Sequence, residues 1–384
     1  MLDQAVILCG GFGTRLGSLT KKIPKPLLKI NNKPFIDYQI KNLARHGIKE
    51  IILLCCYKYG QFKKKYHNKK FLSSKIICFN EKTPKGTGGG LLMIKKKLNK
   101  YFLVMNGDTI FDINYHDIFK KLKKNKLACI ATTNKTGIRY DVLSSKKKFI
   151  NAGIYVFNKK IFKYFKSKVI SIEKDIFPKL ILNNEIQTVY YDKNKFNFLD
   201  IGIPEDFKKS EKIIKRSEIK PAVFLDRDGV INEDLGYVHK KREFIWKKNI
   251  FKLIKLINDN NHYCFVISNQ SGIGRGYYSI KDVSKLHNWV QDELKLRGCH
   301  IDQFYISPYF SGNKNFTKKD KNLRKPNTGM IDIALSKWGI NKKKSIIIGD
   351  QISDQLLAKK VKMKFFMVNK KNNINNIIKK IKFT

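Results

Sequence analysis

The sequence predicts an α/β fold in two domains, and three observations carry that prediction. Short apolar runs alternate with longer amphipathic ones, as strands and helices do around a parallel sheet. The pattern closes in a charged stretch, PEDFKKSEKIIKRSEIKP (204–221), and restarts at once with AVFLD (222–226). At 384 residues the chain is long enough for two or three cores of ordinary size. The boundary falls near residue 218, giving domains 1–217 and 218–384.

In the first half the strand candidates are AVILC (5–9), EIILLCC (50–56), KIICF (75–79), YFLVMN (101–106), ACIATT (128–133) and GIYVF (153–157). Helical stretches lie between them at 34–46 and 114–124, and 204–221 reads as a closing helix that runs into a linker. In the second half AVFLD is followed by strands YCFVIS (263–268), QFYIS (303–307), SIIIGD (345–350) and KFFMV (364–368), with helices between. Residues 371–382 read as a terminal helix rich in lysine and asparagine, and no internal repeat is evident.

Composition narrows the classes of function. No run of eighteen apolar residues occurs, and MLDQAVILCGG lacks a basic leader with a cleavage site, so a soluble, cytoplasmic protein without a membrane partner is expected. The seven cysteines are scattered and form no C-x-x-C, which argues for reduced thiols rather than a disulfide framework. A net charge of +48 raises nucleic acid as a partner. The excess is mostly lysine, however, and Asn, Ile, Phe and Tyr are abundant with it. All of these have A/T-rich codons, so codon bias accounts for the charge. The runs at 61–70 and 120–126 lack the interleaved aromatic platform of a single-strand binder and read as solvated helix faces. Nucleic acid is therefore not expected as a partner. The charge does favour anionic sugar phosphates and nucleotides.

ILCGGFGTRLGSLTKKIPKPLLKI (7–30) places glycines directly after a strand. Gly10, Gly11 and Gly13 let backbone N–H groups approach a polyphosphate, and Arg15 and Lys25 can neutralise it. The string G-G-x-G-T-R-L followed by P-K-P resembles the signature of the sugar-phosphate nucleotidyltransferases, and the resemblance extends over most of residues 1–210. It implies a Rossmann-like domain with Thr14 in the nucleotide loop, and NEKTPKGTGGG (80–90) as a base-reading loop carrying Glu81, Gly86 and Thr87. It also implies that INAGIYVF (150–157) contacts the sugar through Asn151 and Gly153. NGDTIFDI (106–113) and FLDIGIPEDF (198–207) resemble the family's metal turn and closing motif, so that Asp108 and Asp200 would hold Mg²⁺ against the α-phosphate. The plainer alternatives are a helix-start residue beside Pro204 for Asp200 and a surface carboxylate for Glu81.

NNKPFIDYQIKNLARHGIKEIIL, GTGGG, NGDTIFDI and INAGIY together look most like heptose 1-phosphate guanylyltransferases. One departure stands out: RYDVLSSKKKFINAG (139–153) is short and lacks the family's F-x-E-K segment, leaving Lys146, Lys147 or Lys148 as substitutes for its lysine.

The second half restarts with carboxylates in sequence. Asp226 and Asp228 at a strand end resemble the first motif of the haloacid dehalogenase phosphatases. Ser268 and Asn269 in VISNQSGIGRG (266–276), Arg324 and Lys325 in RKPNTGM (324–330), and Asp350 with Asp354 in IIIGDQISD (346–354) supply the rest. The resemblance implies that Asp226 is the nucleophile and Asp228 the acid and base. Mg²⁺ would lie on Asp226, the Asp228 carbonyl and Asp350, with Ser268 and Lys325 on the phosphoryl group. Asp354 is read as orienting Lys325, and Arg227 as either a structural salt bridge or a catalytic group. The intervals between motifs leave no room for a cap domain, so NEDLGYVHKKREFIW (232–246) is the candidate specificity loop.

The pattern is similar to heptose 1,7-bisphosphate and histidinol-phosphate phosphatases. Where relatives carry a cysteine- and histidine-bearing zinc loop, this chain has Ser307, Tyr309, Lys321 and Leu323. No soft ligand remains, so no zinc is expected, and order in this loop would come from packing by Tyr309 and Phe310.

Together the resemblances imply a Rossmann-like nucleotidyltransferase domain followed by a capless haloacid dehalogenase-like domain. The implied reactions are removal of the 7-phosphate of D-glycero-D-manno-heptose 1,7-bisphosphate and transfer of GMP from GTP to the heptose 1-phosphate. Two alternatives stand beside this: a phosphatase with a degenerate first domain, or a hexose 1-phosphate nucleotidyltransferase joined to another small-molecule phosphatase. A homo-oligomer is left open.

Overall fold

The computed structural model describes residues 1–134 and 149–383. It divides into two compact units, Met1–Ser217 and Glu218–Thr384.

The first unit is built on an eight-stranded sheet. Gln4–Cys9 lies inside it, parallel to Glu50–Cys55 on one side and to Tyr101–Asn106 on the other. Its residues are apolar without alternation, as a strand covered on both faces must be: Ala5, Val6 and Ile7 are fully buried. The sheet departs from the all-parallel arrangement expected from the sequence. Phe149–Asn158 runs antiparallel to both Tyr101–Asn106 and Ala128–Asn134. An apolar strand reads the same in either direction, so its polarity depends on the connection and not on its composition.

A separate two-stranded ribbon pairs Thr109–Phe111 with Phe198–Asp200, and Asp200 faces Thr109. This pairing brings together two segments some ninety residues apart in the chain. The helix Phe35–Arg45 buries Phe35, Ile36, Ile40 and Leu43, and the same face carries Gln39 inward.

The second unit holds a five-stranded sheet, all parallel. Its order is Gln303–Ser307, Tyr263–Asn269, Ala222–Leu225, Ile346–Gly349, Lys364–Met367. The first strand in sequence is thus central, and the chain winds outward from it in both directions. Such a switch point opens a crevice at the carboxyl ends of the strands, where ligands bind. The helix Ile280–Leu296 starts with a reciprocal Ser279–Asp282 capping box. Its buried face runs through Val283, Leu286, Val290 and Leu294, and it also buries His287.

The terminal helix expected from the sequence is Ile374–Lys380. Despite its polar composition it is anchored: Ile374 and Ile377 pack into the same core as Leu253, Ile254 and Ile257. Ile377→Ala should lower the unfolding free energy of this unit by about 2–4 kcal/mol. Exposed Lys379→Ala on the same helix should change it by less than about 0.5 kcal/mol. Urea unfolding of the two variants side by side checks the contrast.

Candidate active sites

The first site grows from the turn after Gln4–Cys9. Gly13 sits at φ 68°, and a Cβ there would come within 2.9 Å of Thr20, so the turn needs glycine. Thr20 is buried beneath it and donates through Oγ1 to the Gly13 carbonyl at 3.0 Å. The loop forms one wall of a cavity of about 410 Å³. Gly10, Gly11, Gly13, Lys25, Glu81, Gly86, Thr87 and Asp108, all singled out from the sequence, line it. Thr14, Asn151, Gly153 and Asp200 do not, and neither does Arg15.

Asp108 and Asp200 meet through the two-stranded ribbon. The Lys25 ammonium lies 2.5 Å from Asp108 Oδ2, and the Gly202 N–H donates to Asp200 Oδ1 at 2.7 Å. Burial, and then the neighbouring Asp108, push Asp200 up to about 6, although Lys25, the Gly202 amide and Arg15 pull the other way. Arg15 therefore bears on the carboxylates from outside the cavity. Asn151 is one step removed: its Nδ2 donates to the Tyr155 hydroxyl at 2.9 Å, and its Oδ1 accepts from the Gly153 N–H. Glu81 is not the surface carboxylate of the plainer alternative. It is buried, accepts from the Lys85 N–H at 2.8 Å, and burial raises its pKa.

Two residues of this site were not singled out in the sequence. Glu173 lines the cavity and accepts from the Thr87 hydroxyl at 2.8 Å and from the Tyr155 hydroxyl at 3.3 Å. It thereby joins the loop 80–90 to the strand that bears Asn151. The available signal was a Glu-Lys-Asp string between Ile172 and Ile176, charge set inside an apolar frame. The second is Gln39, whose Nε2 donates to the Asn106 and Thr109 carbonyls at 2.8 and 2.7 Å and braces the turn that presents Asp108. A lone glutamine on an apolar helix face carries no sequence signal of that kind. Residues 139–148, with Lys146, Lys147 and Lys148, lie outside the described residues.

The second site lies at the carboxyl ends of the five-stranded sheet. Asp226 follows Ala222–Leu225, Ser268 and Asn269 close Tyr263–Asn269, and Asp350 follows Ile346–Gly349. Asp226, Asp228, Ser268, Asn269 and Lys325 line a cavity of about 380 Å³, with Asp234, Gly236 and Tyr237 brought in by the loop 232–246. Lys325 is buried with its ammonium 2.7 Å from both Asp226 and Asp354. Burial disfavours the ammonium, but the two carboxylates outweigh it and hold the Lys325 pKa above the ordinary value. Burial pushes Asp226 up to about 7 against the pull of Lys325, with Asp354 and Asp350 adding to the rise.

Asn269 holds Lys325 by its backbone, accepting from its N–H at 3.0 Å and donating to its carbonyl at 3.2 Å. Arg324 turns away to the Tyr309 carbonyl and is not a lining residue. The Asp228 carboxylate accepts from Arg227, Asn232 and Gln270. Gln270, also missed in the sequence, donates through the same Nε2 to Ser268 Oγ at 2.7 Å. In the loop that replaces the zinc ligands, the Arg275 guanidinium lies 3.9 Å from the Phe310 ring centre, and Tyr309 meets Phe316 edge to face.

Oxygens of Asp226, Asp350 and Asp354 lie within 4.8 Å of one another. Asp350 Oδ1 is buried with no hydrogen-bond partner, and Gly229, at φ 84°, packs so closely on this carboxylate that a Cβ would overlap it. An orphaned buried carboxylate oxygen in an all-oxygen set fits a hard divalent cation.

A glycine-lined cradle with paired aspartates and a strand-end aspartate cluster with a buried lysine are the parts of a nucleotidyl-transfer site and a phosphoryl-transfer site. The comparisons agree. Residues 4–144 match the family described as Nucleotidyl transferase, and 322–375 match that described as HAD-hydrolase-like. The chain belongs to both families and is an enzyme of two activities.

More particularly, it is 37% identical over 224 residues to a D-glycero-α-D-manno-heptose 1-phosphate guanylyltransferase of Campylobacter jejuni, spanning 53% of this chain and 96% of the relative. It is 41% identical over 142 residues to a D-glycero-α-D-manno-heptose-1,7-bisphosphate 7-phosphatase of Photorhabdus laumondii, spanning 37% of this chain and 77% of the relative. A β-anomer 7-phosphatase of Rhodopseudomonas palustris is 39% identical over 141 residues, or 36% of this chain and 78% of the relative. No described helix is long and apolar enough to cross a membrane.

The raised Asp200 and Asp226 make a testable statement about metal. A carboxyl group whose folded pKa lies above its unfolded value stabilises the fold most below the unfolded pKa and loses that contribution as pH rises through the folded one. For these two groups the window runs from about 4 to about 6 and about 7. A divalent cation relieves the repulsion only where protons have left. The rise in Tm on adding Mg²⁺ to chelator-treated protein should therefore be larger at pH 8 than at pH 5. Equal increments at both pH values would contradict the assignment.

Proposed function

We propose that this chain carries out two consecutive steps of nucleotide-activated heptose synthesis. In the first, the 7-phosphate of D-glycero-D-manno-heptose 1,7-bisphosphate is hydrolysed. In the second, the heptose 1-phosphate so formed accepts GMP from GTP, giving GDP-heptose and pyrophosphate. The observation that carries this reading is that each unit gathers phosphate-handling groups at the strand ends of its own sheet, beside a buried lysine. The relatives named for heptose on both halves supply the sugar.

For the hydrolysis, an Asp226 carboxylate oxygen attacks phosphorus, and the bond to the sugar oxygen breaks. Asp228 gives that oxygen its proton. Asp228 then takes a proton from water, whose oxygen attacks the aspartyl-phosphate and releases inorganic phosphate and free Asp226. Lys325 and Ser268 neutralise and orient the phosphoryl oxygens. Asp226 and Asp350, with the Asp228 carbonyl, would hold Mg²⁺, which supplies charge neutralisation that lets a carboxylate approach a phosphate.

For the transfer, a phosphate oxygen of the sugar attacks the α-phosphorus of GTP and pyrophosphate leaves. The glycine loop, Lys25 and Arg15 hold the triphosphate, Asp108 and Asp200 would hold Mg²⁺, and Glu81 faces the base. Little covalent work falls to the protein here, so positioning and charge carry the rate. These are soluble anionic substrates, in keeping with a cytoplasmic enzyme. The missing F-x-E-K segment at 139–153 favours a second reading, in which only the phosphatase is active.

Two measurements decide between them. With Mg²⁺, heptose 1-phosphate and GTP, purified protein should release pyrophosphate, and a failure to release it with any nucleoside triphosphate would leave the second reading. Asp226→Asn should lower phosphate release from the 1,7-bisphosphate by at least about 10³-fold while leaving pyrophosphate release within twofold of wild type. Asp108→Asn should do the reverse. These factors are order-of-magnitude expectations for removing a nucleophile or a ligand of the metal.

A further inference from the structure

Arg227 lies between the two aspartates of the phosphatase motif, and its sequence leaves its role open. It is among the largest fully buried side chains of the protein, and each part of its guanidinium is committed. Nε and Nη2 reach the Asp228 carboxylate at 3.1 and 2.9 Å. Nη2 also donates to the Val238 carbonyl at 2.5 Å. Nη1 meets His287 Nε2 at 3.4 Å.

A guanidinium only donates, so His287 Nε2 must accept, and its ring must be neutral with the proton on Nδ1. The surroundings agree. His287 is buried and stacked on Phe304 at 4.3 Å, and burial followed by the charge of Arg227 pushes its pKa down to about 3. A carboxylate in its place would compete with Asp228 for the guanidinium; a neutral acceptor orients the fork and leaves its charge for Asp228.

The three partners belong to different elements. Asp228 is in the turn after the central strand, His287 is on the helix Ile280–Leu296, and Val238 is in the loop that brings Asp234, Gly236 and Tyr237 to the cavity. Two further ties run from the loop to Asp228: Asn232 Nδ2 donates to its carboxylate at 2.9 Å, and His239 stacks on Tyr278 at 4.6 Å, whose hydroxyl donates to Gln270 Oε1 while the Gln270 amide nitrogen donates to Asp228. These three ties from the loop thus end on the Asp228 carboxylate.

We propose that Arg227, backed by neutral His287, is a positioning residue that sets the Asp228 carboxyl for proton transfer to the departing sugar oxygen and couples that setting to the order of the loop 232–246. The proposal rests on the aspartyl-phosphate reading above. It differs from a merely structural salt bridge in what it predicts for different leaving groups. A sugar alkoxide needs a proton to leave; p-nitrophenolate does not. Loss of a well-placed acid therefore lowers kcat/KM for a sugar phosphate far more than for p-nitrophenyl phosphate, because kcat/KM reports the steps through the first departure.

The experiment compares full-length wild type with Arg227→Lys, which keeps the charge and loses the fork, and with His287→Phe, which keeps the stack on Phe304 and removes the acceptor. Arg227→Lys should lower kcat/KM on the 1,7-bisphosphate by about 10²-fold or more, the usual scale for a general acid, and on p-nitrophenyl phosphate by a factor at least tenfold smaller. His287→Phe should show the same selectivity at lower amplitude. Equal factors on both substrates in a variant with wild-type thermal unfolding, or no loss on either, would overturn the proposal. Failure of the underlying reading looks different: wild type would hydrolyse neither substrate, or Asp226→Asn would retain its activity.

Discussion

A buried lysine ammonium beside strand-end aspartates is the constraint on which both halves of this enzyme depend. Lys325 stands 2.7 Å from Asp226 and Asp354, and Lys25 stands 2.5 Å from Asp108. Several carboxylates cannot be gathered in a half-dry crevice without a cation, because desolvation and mutual repulsion both drive them to take up protons. The lysine makes the cluster tolerable without fully neutralising it. Asp200 near 6 and Asp226 near 7 record what remains. That residue of unfavourable charge is also what a divalent ion relieves on arrival, beside an ammonium that already lies against the carboxylates.

The scaffolds serve this constraint in the same way. In each unit the first strand is interior to the sheet, the chain winds away from it on both sides, and the carboxyl ends open a crevice at the point of divergence. The groups around each crevice are then fixed by hydrogen bonds from neighbouring side chains. Gln39 holds both carbonyls flanking the Asp108 turn. Asn269 pins the backbone of Lys325 from both sides. Glu173 ties the loop 80–90 to the strand of Asn151. Each is an amide or carboxylate bonded to the backbone or a hydroxyl of another element, so the crevice is held by bonds spanning long distances in sequence. Such supports restrict a reacting group to the small range of positions from which transfer is fast.

The sequence by itself determined the central strands, because short apolar runs bounded by glycine or charge need no tertiary information: YFLVMN and QFYIS match their strands residue for residue, whereas Ile186–Tyr190, half-buried beside Ala128–Asn134, was not among the candidates. It also determined the groups whose chemistry is local to a motif, such as Gly10 and Gly13 after a strand or Asp226 and Asp228 in one turn. Only the tertiary structure decided the direction of Phe149–Asn158, the separate two-stranded ribbon through which Asp108 and Asp200 meet, and the burial of Glu81. The same holds for Gln39, Glu173, Gln270 and His287, whose importance lies in partners distant in sequence. The physical reason is that apolar periodicity and turn chemistry act over a few residues. The value of a buried polar side chain depends on which backbone or carboxylate the fold sets against it, and no single stretch of sequence contains both ends of that bond.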